Sequence, residues 1–600
     1  MRKYKAVLAT GVTGVLALAA IGYGVAGNTG ANTGSTSTGE ASVSSNSGSF
    51  SMFFNLGDGH GFDPDASSWE AYLDDEGIFE GLVIPGPNAA TKPIPGIATS
   101  WSVSKDGKVY TFNLRKNAKF SNGDPVTAQD FVFSMQRAVN PQTSVADGQG
   151  PVTVNNLPIV NASNIINGVS GYKPTDLGVK AVNNYTLQIT LSRKDPTFLR
   201  DLTLPTSSWV VPLDPKVVNA MKPSDWSDPT KIVSDGPYEL TSYKLKTSAT
   251  LKPNPHYYAK TTLKSITVYY NSTATNDTSL SSFKSGQMQE VQLQPQDLAA
   301  VKSDPTLKKD LKMYPSSAQY TFTILPSKNT ALQNQKVREA FALAINRNVI
   351  TQSVLQGAGA PAYNYYLPTW LNPWVSKYAQ AYNPKKAQQL LAQAGYPGGK
   401  GFPTVDIVVG STTDPVAAAV QQMWEQTLGV KVNFEGLEWG QYVNALTTQL
   451  PADQVGFANV STNAIYANLQ LPQSLLSWIF PSGINLVNGY LSPSNFQAWS
   501  TINNNSNLSA AQKKAEEFVI YQKGLPNSVL SNLKLGIQAF ATNNQAKMEQ
   551  YYGQQIQNAF FISIYTPIVP ELLSPQVKGY QPDQLLLIAP PYWLNNITVS

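Results

Sequence analysis

The sequence predicts an α/β fold, because strands and helices alternate along it in recognisable patterns. Residues Val109–Leu114 alternate larger apolar side chains with more polar ones, which is typical of a half-buried strand. Residues 121–124 supply a turn, and Thr127 then caps a helix with one apolar face. Residues 414–429 form a second helix, from an Asp-Pro start to a glycine end, and residues 430–434 follow as a strand. This helix–strand step is typical of layered α/β proteins.

Three further helices are indicated by their periodicity and by their end signals. Residues 383–395 run from an Asn-Pro start to a glycine end. Residues 336–350 carry apolar side chains at helical spacing, which predicts an amphipathic helix. Ser509 and Gln512 form a capping box, and we expect the helix that they begin to end near Gly524.

Length and composition indicate a folded protein of several domains. A chain of 600 residues is too long for one hydrophobic core. Apolar residues make up 42% and aromatic residues 10%, whereas charged residues make up only 14%, below the roughly 25% of average soluble proteins. The net charge of +5 is spread along the chain without a basic block, so we expect no nucleic-acid partner.

The low charge and the absence of cysteine bear on the environment of the protein. Few carboxylates change their ionisation when the pH falls towards 4, so the composition suits an acidic external medium. With no cysteine the chain has no disulfides and no thiolate metal sites. It also lacks the N-terminal cysteine of a lipoprotein, so lipid attachment of that kind is excluded.

The N-terminus predicts export. Three basic residues precede an uncharged run, so residues 1–27 are predicted to be a signal or anchor segment. Residues 28–49 are rich in Gly, Ser, Thr and Asn and are predicted to be a flexible tether. Cleavage after Ala26 or Gly27 would release the protein, and an uncleaved helix would hold it on the membrane. Both alternatives place the protein outside the cytoplasm, and the tether favours anchoring.

No pattern in the sequence predicts a catalytic, metal or cofactor site. The chain has two histidines, His60 and His256, and neither stands in a ligand spacing. Nucleophile elbows, phosphate-binding loops of the Gly-Lys type and dinucleotide fingerprints are not found in the sequence. We therefore expect a binding protein that is not an enzyme and has no cofactor.

The order of motifs in the chain resembles one family of binding proteins. Residues 81–141 contain GLVIPGP and then IPGIATSWSVSKDGKVYTFNLRKNAKFSNGDPVTAQDFVFSMQRAVNP. Further matching patterns are SDGPY at 234–238, VREAFALAINR at 337–347 and AQQLLAQAGY at 387–396. Together they resemble the oligopeptide- and dipeptide-binding proteins of ABC importers, which form the extracellular solute-binding protein family 5. The resemblance spans roughly residues 50–580.

The resemblance implies a periplasmic-binding-protein-like, two-lobed receptor of type II, cluster C, with an extra inserted domain. It also implies capture of oligopeptides between the lobes, delivery to an ABC permease and its ATPase, and a monomeric state. The implied units are lobe I (residues 50–73, 206–316 and 565–600), the inserted domain (residues 74–205) and lobe II (residues 317–564), with crossings near Ser316 and Ile564 acting as the hinge.

The resemblance also implies residues of the binding site. The loop containing Gly59 and His60 precedes Phe62-Asp63-Pro64 and corresponds to a loop that borders the ligand in the family. Trp439 corresponds to a tryptophan of the family, and Tyr565 to a tyrosine that lines the pocket. For these positions, simple turn formation and core packing remain alternatives.

A charged anchor of the family is missing from this chain. Relatives hold the amino terminus of a peptide with an aspartate, and the corresponding stretch here contains Asn459, Ser461 and Asn463, with Asn463 aligned to the aspartate. An amide accepts a hydrogen bond but does not neutralise an ammonium group. Leu446 stands where some relatives have an arginine, and residues 454–512 carry no charged residue and no histidine.

The neutral character of this stretch leaves several ligands open. Oligopeptides remain the first prediction, especially peptides that are end-blocked or hydrophobic. Amide and aromatic side chains also suit hydroxyl-rich ligands, so an oligosaccharide receptor of the same importer class is the alternative. A surface or sensory receptor without a transport role is the third possibility.

Overall fold

The computed structural model describes residues 48–54, 62–65, 77–84, 93–145, 157–166, 168–195, 198–203, 209–245, 247–270, 276–316, 318–363, 373–411, 413–463, 488–505, 508, 510–542, 544–580 and 597–600. The predicted signal or anchor segment and nearly all of the predicted tether lie outside these residues. Among the helices of the described ranges, none has both the length and the apolar character needed to cross a membrane.

The strands of the described residues are β1 (Ser49–Phe54), β2 (Val83–Ile84), β3 (Ile94–Pro95), β4 (Ala98–Val103), β5 (Val109–Leu114), β6 (Val179–Asn183), β7 (Thr186–Thr190), β8 (Tyr238–Lys244), β9 (Ser248–Pro253), β10 (Ser265–Tyr270), β11 (Glu290–Gln292), β12 (Leu311–Pro315), β13 (Ala318–Ile324), β14 (Gly359–Pro361), β15 (Thr404–Val409), β16 (Val432–Gly436), β17 (Gln454–Asn463), β18 (Ile562–Leu573), β19 (Val577–Lys578) and β20 (Thr598–Val599).

The α-helices of the same residues are α1 (Ala128–Ala138), α2 (Pro141–Val145), α3 (Ala162–Ile166), α4 (Phe198–Asp201), α5 (Pro215–Val218), α6 (Asn276–Lys284), α7 (Leu298–Ser303), α8 (Leu307–Asp310), α9 (Gln335–Leu343), α10 (Arg347–Val349), α11 (Pro384–Gln393), α12 (Pro415–Leu428), α13 (Trp439–Thr447), α14 (Pro493–Asn503), α15 (Ala510–Gly524), α16 (Asn527–Ala541) and α17 (Gln545–Gln557).

A 12-stranded mixed sheet runs through the molecule in the order β16-β15-β17-β13-β18-β11-β1-β10-β9-β8, and β12 and β14 also pair with β18. β18 is the longest strand of the described residues and pairs with β13 at one end and with β11 and β12 at the other. Between β12 and β13 the Ser316 N–H donates to the Pro567 carbonyl at 2.9 Å. Both β12 and β13 therefore pair with β18, and this bond extends the pairing of β12 by one residue.

A smaller sheet lies in the first third of the chain. It has four antiparallel strands in the order β4-β5-β7-β6, and α1 contacts β6 and β7. Phe112, Phe131 and Leu187 are fully buried between the helix and the sheet, within an apolar cluster that reaches from Leu82 to Val210. This cluster is large enough to give the segment a core of its own.

Two further clusters fill the rest of the molecule. One joins Phe50 and Tyr238 with Val599, so the first and the last strands of the described residues share a core. The largest surrounds the central strands, where Phe341, Trp424 and neighbouring aromatic rings pack on β13 and β17. The aromatic side chains of the chain are thus used mainly to fill the layers between helices and sheet.

Helix ends follow the predicted signals. The Thr127 N–H donates to the Asp130 carboxylate at 2.6 Å where α1 begins. Asp414 accepts the N–H groups of Val416 and Ala417, both at 2.9 Å, and α12 closes at Gly429, whose φ of +69° is the left-handed conformation that glycine adopts without strain. α11 and α15 also match their predicted ends, although Ser509 of the second capping box lies outside the described residues.

Two predicted boundaries were wrong. The strand expected at residues 430–434 is displaced by two residues and forms β16. The amphipathic helix expected at 336–350 ends at Leu343, whose carbonyl accepts the Asn383 N–H at 3.0 Å. Asn346 then caps a new turn by accepting the Val349 N–H at 3.2 Å. Tertiary hydrogen bonds therefore replaced the helical ones that the periodicity predicted.

Candidate functional site

β17 extends beyond its neighbour on one side. It pairs in parallel with β15 only as far as Ala458, but it pairs antiparallel with β13 as far as Asn463. Residues 459–463 therefore have a described strand on one edge alone. We call this stretch the open edge of β17. An unpaired strand edge presents hydrogen-bond donors and acceptors to any extended chain placed beside it.

The direction of the backbone groups along β17 follows from two hydrogen bonds. The Gly456 carbonyl accepts the Leu325 N–H at 2.9 Å on the β13 side, and the Asp453 carbonyl accepts the Thr404 N–H at 3.0 Å on the β15 side. Successive residues of a strand turn their backbone groups to alternate sides. Because β17 keeps its register with β13 without a bulge, its odd-numbered residues face the open edge. These are Asn459, Ser461 and Asn463, three of the site residues predicted from the sequence.

Asn459 lies where the open edge begins. Its backbone carbonyl accepts a short hydrogen bond from the Tyr442 hydroxyl of α13. Its side chain is only 8% exposed, and Oδ1 has no hydrogen-bond partner among the described residues. A buried acceptor without a partner costs about 1–3 kcal/mol. Asn459 Oδ1 is therefore a buried acceptor that the described residues leave unpaired.

Tyr565 belongs to an aromatic pair on the two strands that follow β17 in the sheet, on its paired side. Its ring stacks on the ring of Tyr320, with centroids 5.2 Å apart and an angle of 23° between the planes. Tyr320 is opposite Ser461 in the sheet, and its hydroxyl donates to Asp414 Oδ2 at 2.6 Å. Burial raises the pKa of Asp414, and the hydrogen bonds from Tyr320 and from two backbone N–H groups oppose that rise. The structure thus joins Tyr565, through Tyr320, to a carboxyl group at the start of α12.

The remaining predicted residues have different outcomes. Gly59 and His60 lie outside the described residues. Trp439 is the first residue of α13, the helix that reaches Asn459 through Tyr442. Leu446 is 4% exposed and packs with Leu325 and Val408, so an apolar cluster occupies the position where some relatives have an arginine.

Sequence reasoning missed three residues of this region. Tyr320 and Gln319 lie on β13, and Asp414 was identified only as a helix cap. Gln319 is 1% exposed and neither of its side-chain polar atoms has a partner among the described residues. Nothing local in the sequence marks these positions, because their neighbours come from strands more than ninety residues away.

Comparison with known proteins identifies the family. The profile described as bacterial extracellular solute-binding proteins, family 5 Middle, matches residues 92–485, about two thirds of the chain. The periplasmic oligopeptide-binding protein OppA of Salmonella typhimurium is 32% identical over 427 residues, which cover 69% of this chain and 74% of that protein. OppA of Escherichia coli is 29% identical over 515 residues, which cover 84% of each chain.

Solved structures agree on the fold. The crystal structure of Haemophilus influenzae OppA in complex with RPPGFSPFR matches with a TM-score of 0.63 and 23% identity, covering 92% of this chain and 99% of that one. The predicted two-lobed α/β fold of type II binding proteins is thereby confirmed. From its motifs, its fold and the long profile match, this chain belongs to family 5 of the bacterial extracellular solute-binding proteins.

Proposed function

We propose that the protein is an extracytoplasmic receptor that captures oligopeptides between its two lobes and delivers them to an ABC permease and its ATPase. The observation that carries this proposal is the open edge of β17. There the backbone groups of Asn459, Ser461 and Asn463 face a side without a described strand. The function consists of binding and closure, without a chemical step.

An extended peptide fits this edge because its own N–H and C=O groups recur at the spacing of a strand. Addition of a strand to a sheet edge uses main-chain hydrogen bonds, which are the same for every sequence. Alternate side chains of the bound peptide then project to opposite faces of the sheet. A receptor of this kind holds many peptides with one set of backbone contacts.

Peptides are favoured over oligosaccharides by two arguments. A sugar ring does not offer donors and acceptors at the repeat of a β-ladder, so it gains little from the open edge. The relatives found by comparison are named as oligopeptide-binding proteins, and the Haemophilus influenzae structure contains a peptide. The predicted oligosaccharide alternative has no comparable support.

The proposed transport cycle uses the hydrogen-bonded passage between the lobes. Lobe I comprises residues 50–73, 206–316 and 565–600, the inserted domain residues 74–205, and lobe II residues 317–564. Rotation about Ser316 and the adjacent part of β18 closes the lobes on the ligand, and the bound peptide stabilises the closed state. The receptor acts as a monomer outside the cytoplasm, either secreted or held by its N-terminal segment.

Replacing Ser461 with proline tests the open edge directly. Proline lacks the N–H that faces this edge, and strands accept proline where that N–H is not paired within the sheet. Ser461→Pro is expected to weaken the binding of a pentapeptide library about tenfold, the effect of one lost hydrogen bond of about 1.4 kcal/mol. Isothermal titration calorimetry measures the affinities, and maltopentaose serves as the non-peptide ligand.

Ser461→Ala is the matched control, because it keeps the backbone N–H. It is expected to bind peptides within about twofold of the unchanged protein. Equal affinities of the proline and alanine variants, with both proteins folded, would show that the open edge does not hold the ligand. Binding of maltopentaose in preference to all peptides would overturn the proposed function itself.

A further inference from the structure

The two edges of β18 differ where the proposed lobes meet. On one edge its partners β12 and β13 follow each other directly in the chain. On the opposite edge its partners β11 and β14 are separate segments of the chain. There the Pro570 carbonyl accepts the Leu293 N–H at 2.8 Å beside β11, and the Ile568 N–H donates to the Ala358 carbonyl at 3.1 Å beside β14. This second edge therefore passes from lobe I to lobe II between residues 568 and 570.

Gln356, just before β14, bridges the two segments on this edge. Its Oε1 accepts the Ala299 N–H at 3.2 Å, and its backbone carbonyl accepts a hydrogen bond from Lys302 Nζ at 2.9 Å. Ala299 lies in the first turn of α7 and Lys302 in the last turn. One residue of the proposed lobe II thus holds both ends of a helix of lobe I. We call these two hydrogen bonds the Gln356 bridge.

The start of α7 uses Gln356 as its cap. The first N–H groups of a helix have no acceptor within the helix, and a side chain just before the helix commonly supplies one. Asp297 precedes α7, but its carboxylate accepts the Gln294 N–H at 3.1 Å and does not cap the helix. The acceptor for Ala299 comes instead from the other lobe. Loss of the bridge would leave this helix end without that acceptor.

The backbone around Gln356 is built to present it. Gln356 has a φ of +51°, in the left-handed region that residues other than glycine seldom adopt. The preceding residues Ile350–Val354 form a π-helical turn, and the Gly357 N–H after it donates to the buried Thr351 carbonyl at 2.8 Å. Such turns and such strained residues are found preferentially at functional positions, where the surrounding structure holds them.

Apolar packing supports the bridge from below. Leu298 and Val301 of α7 are fully buried, and Leu355 and Ala358 on either side of Gln356 are buried in the same apolar cluster. The bridge also lies beside the crossing, because Ala358 binds Ile568 of β18. Atoms beside an axis of rotation move least. Rotation of the lobes about the crossing therefore leaves the bridge in place, whereas sliding or separation of the lobes breaks it.

We propose that the Gln356 bridge is the non-covalent half of the hinge, which ties lobe II to α7 and confines the motion of the lobes to rotation about the crossing. This inference rests on the proposed function, because it concerns closure of the same receptor on its peptide. The apparent affinity of a receptor falls with the fraction of molecules that can reach the binding-competent arrangement. The bridge therefore raises the affinity for every peptide by the same factor.

Replacing Gln356 with glycine tests the bridge. Glycine adopts the left-handed conformation without strain, so Gln356→Gly removes mainly the side-chain acceptor. We expect the binding of several unrelated pentapeptides to weaken about fivefold each, the effect of losing one helix cap. Isothermal titration calorimetry measures these affinities. In the free protein, hydrogen exchange followed by mass spectrometry should show faster exchange at the start of α7, where the Ala299 amide loses its acceptor.

Three other variants make the test specific. Gln356→Glu keeps an acceptor for the Ala299 N–H, so its affinities and exchange should stay within about twofold of the unchanged protein. Gln352→Ala is the matched control, because Gln352 is exposed in the same π-helical turn and alanine suits a helical backbone; it should change neither property. If Gln356→Gly does not fold, Lys302→Met removes the other bond of the bridge and should weaken binding about threefold.

The outcomes separate the bridge from the proposed function. Weaker binding of all the peptides and faster exchange in α7, both restored in Gln356→Glu, support the bridge. Unchanged or tighter binding in Gln356→Gly, or a loss confined to some peptides, overturns the bridge and leaves the peptide receptor standing. An unchanged protein that binds no peptide overturns the proposed function. Small-angle scattering of the free protein then decides on the bridge, since Gln356→Gly should enlarge the radius of gyration and an identical profile would overturn it.

Discussion

The free energy of unfolding is expected to fall as the pH rises from about 4.5 to about 8. Glu290 of β11 and Glu571 of β18 are 2% and 5% exposed and lie on adjacent strands. Burial raises the pKa of Glu571 from 4.5 to about 8, against a hydrogen bond from Tyr580 that lowers it. Burial, and then the charge of Glu571, raises the pKa of Glu290 well above its ordinary value.

The free energy of unfolding falls with rising pH because the folded and unfolded states bind different numbers of protons. Below about pH 4.5 these carboxyls are protonated in both the folded and the unfolded protein. Between that pH and the folded pKa the unfolded chain releases its protons and the folded protein keeps them, so unfolding becomes more favourable as the pH rises. For Glu571 alone the loss is about 5 kcal/mol once the pH passes about 8.

Urea unfolding at pH 4, 6 and 8, followed by circular dichroism, measures this effect. The double variant Glu290→Gln with Glu571→Gln keeps the shape of both side chains and should lose most of the pH dependence. Some slope should remain, because burial also raises the pKa of Glu80 to about 7. A stability that is constant or rises from pH 5 to pH 8 in the unchanged protein would contradict the expectation.

Replacing Arg137 with methionine is expected to destabilise the protein by about 3–5 kcal/mol, because it leaves two buried carboxylates without their cation. The guanidinium of Arg137, in the last turn of α1, lies 2.6 Å from Asp63 Oδ2 and 2.6 Å from Asp65 Oδ2. Both aspartates are almost fully buried, and the guanidinium also lies over the ring of Trp226. Methionine preserves the length of the side chain, so the variant removes mainly the charge and its hydrogen bonds.

The control is an ion pair at the surface. Lys377 is 2.9 Å from Glu549, but half of its side chain is exposed. Lys377→Met should therefore change stability by less than about 1 kcal/mol. Equal effects of the two variants at pH 7 would show that the buried pair contributes no more than a surface one.

Local signals in the sequence were sufficient to predict the ends of an element when residues close to that end in the sequence form the hydrogen bonds that fix it. Asp414 caps α12 through hydrogen bonds to residues two and three positions later, so the sequence contained the whole signal. The end of α9 was not predictable in this way. It depends on Asn383, the residue that precedes α11, whose N–H donates a hydrogen bond to the Leu343 carbonyl.

The site was predictable only in part for the same reason. The family motif located Asn459, Ser461 and Asn463, but the side to which their backbone turns depends on the registers of β13 and β15. The pairing of Tyr320 with Tyr565 depends on strands about 245 residues apart in the chain. No periodicity or spacing within one segment contains such information.

The passage between β12, β13 and β18 determines how the molecule deforms. A ribbon of paired strands resists stretching and sliding, because either would break its hydrogen bonds, whereas twisting and bending keep them. β12 and β13 both pair with β18, and the Ser316–Pro567 bond extends this pairing beyond the end of β12. Relative motion of the parts of the molecule on either side of this ribbon is therefore expected to occur by twisting and bending of the strands, since stretching and sliding would break hydrogen bonds. In the transport cycle proposed above, cargoes of different sequence would then produce the same closed outline, which is the shape that a single permease would recognise.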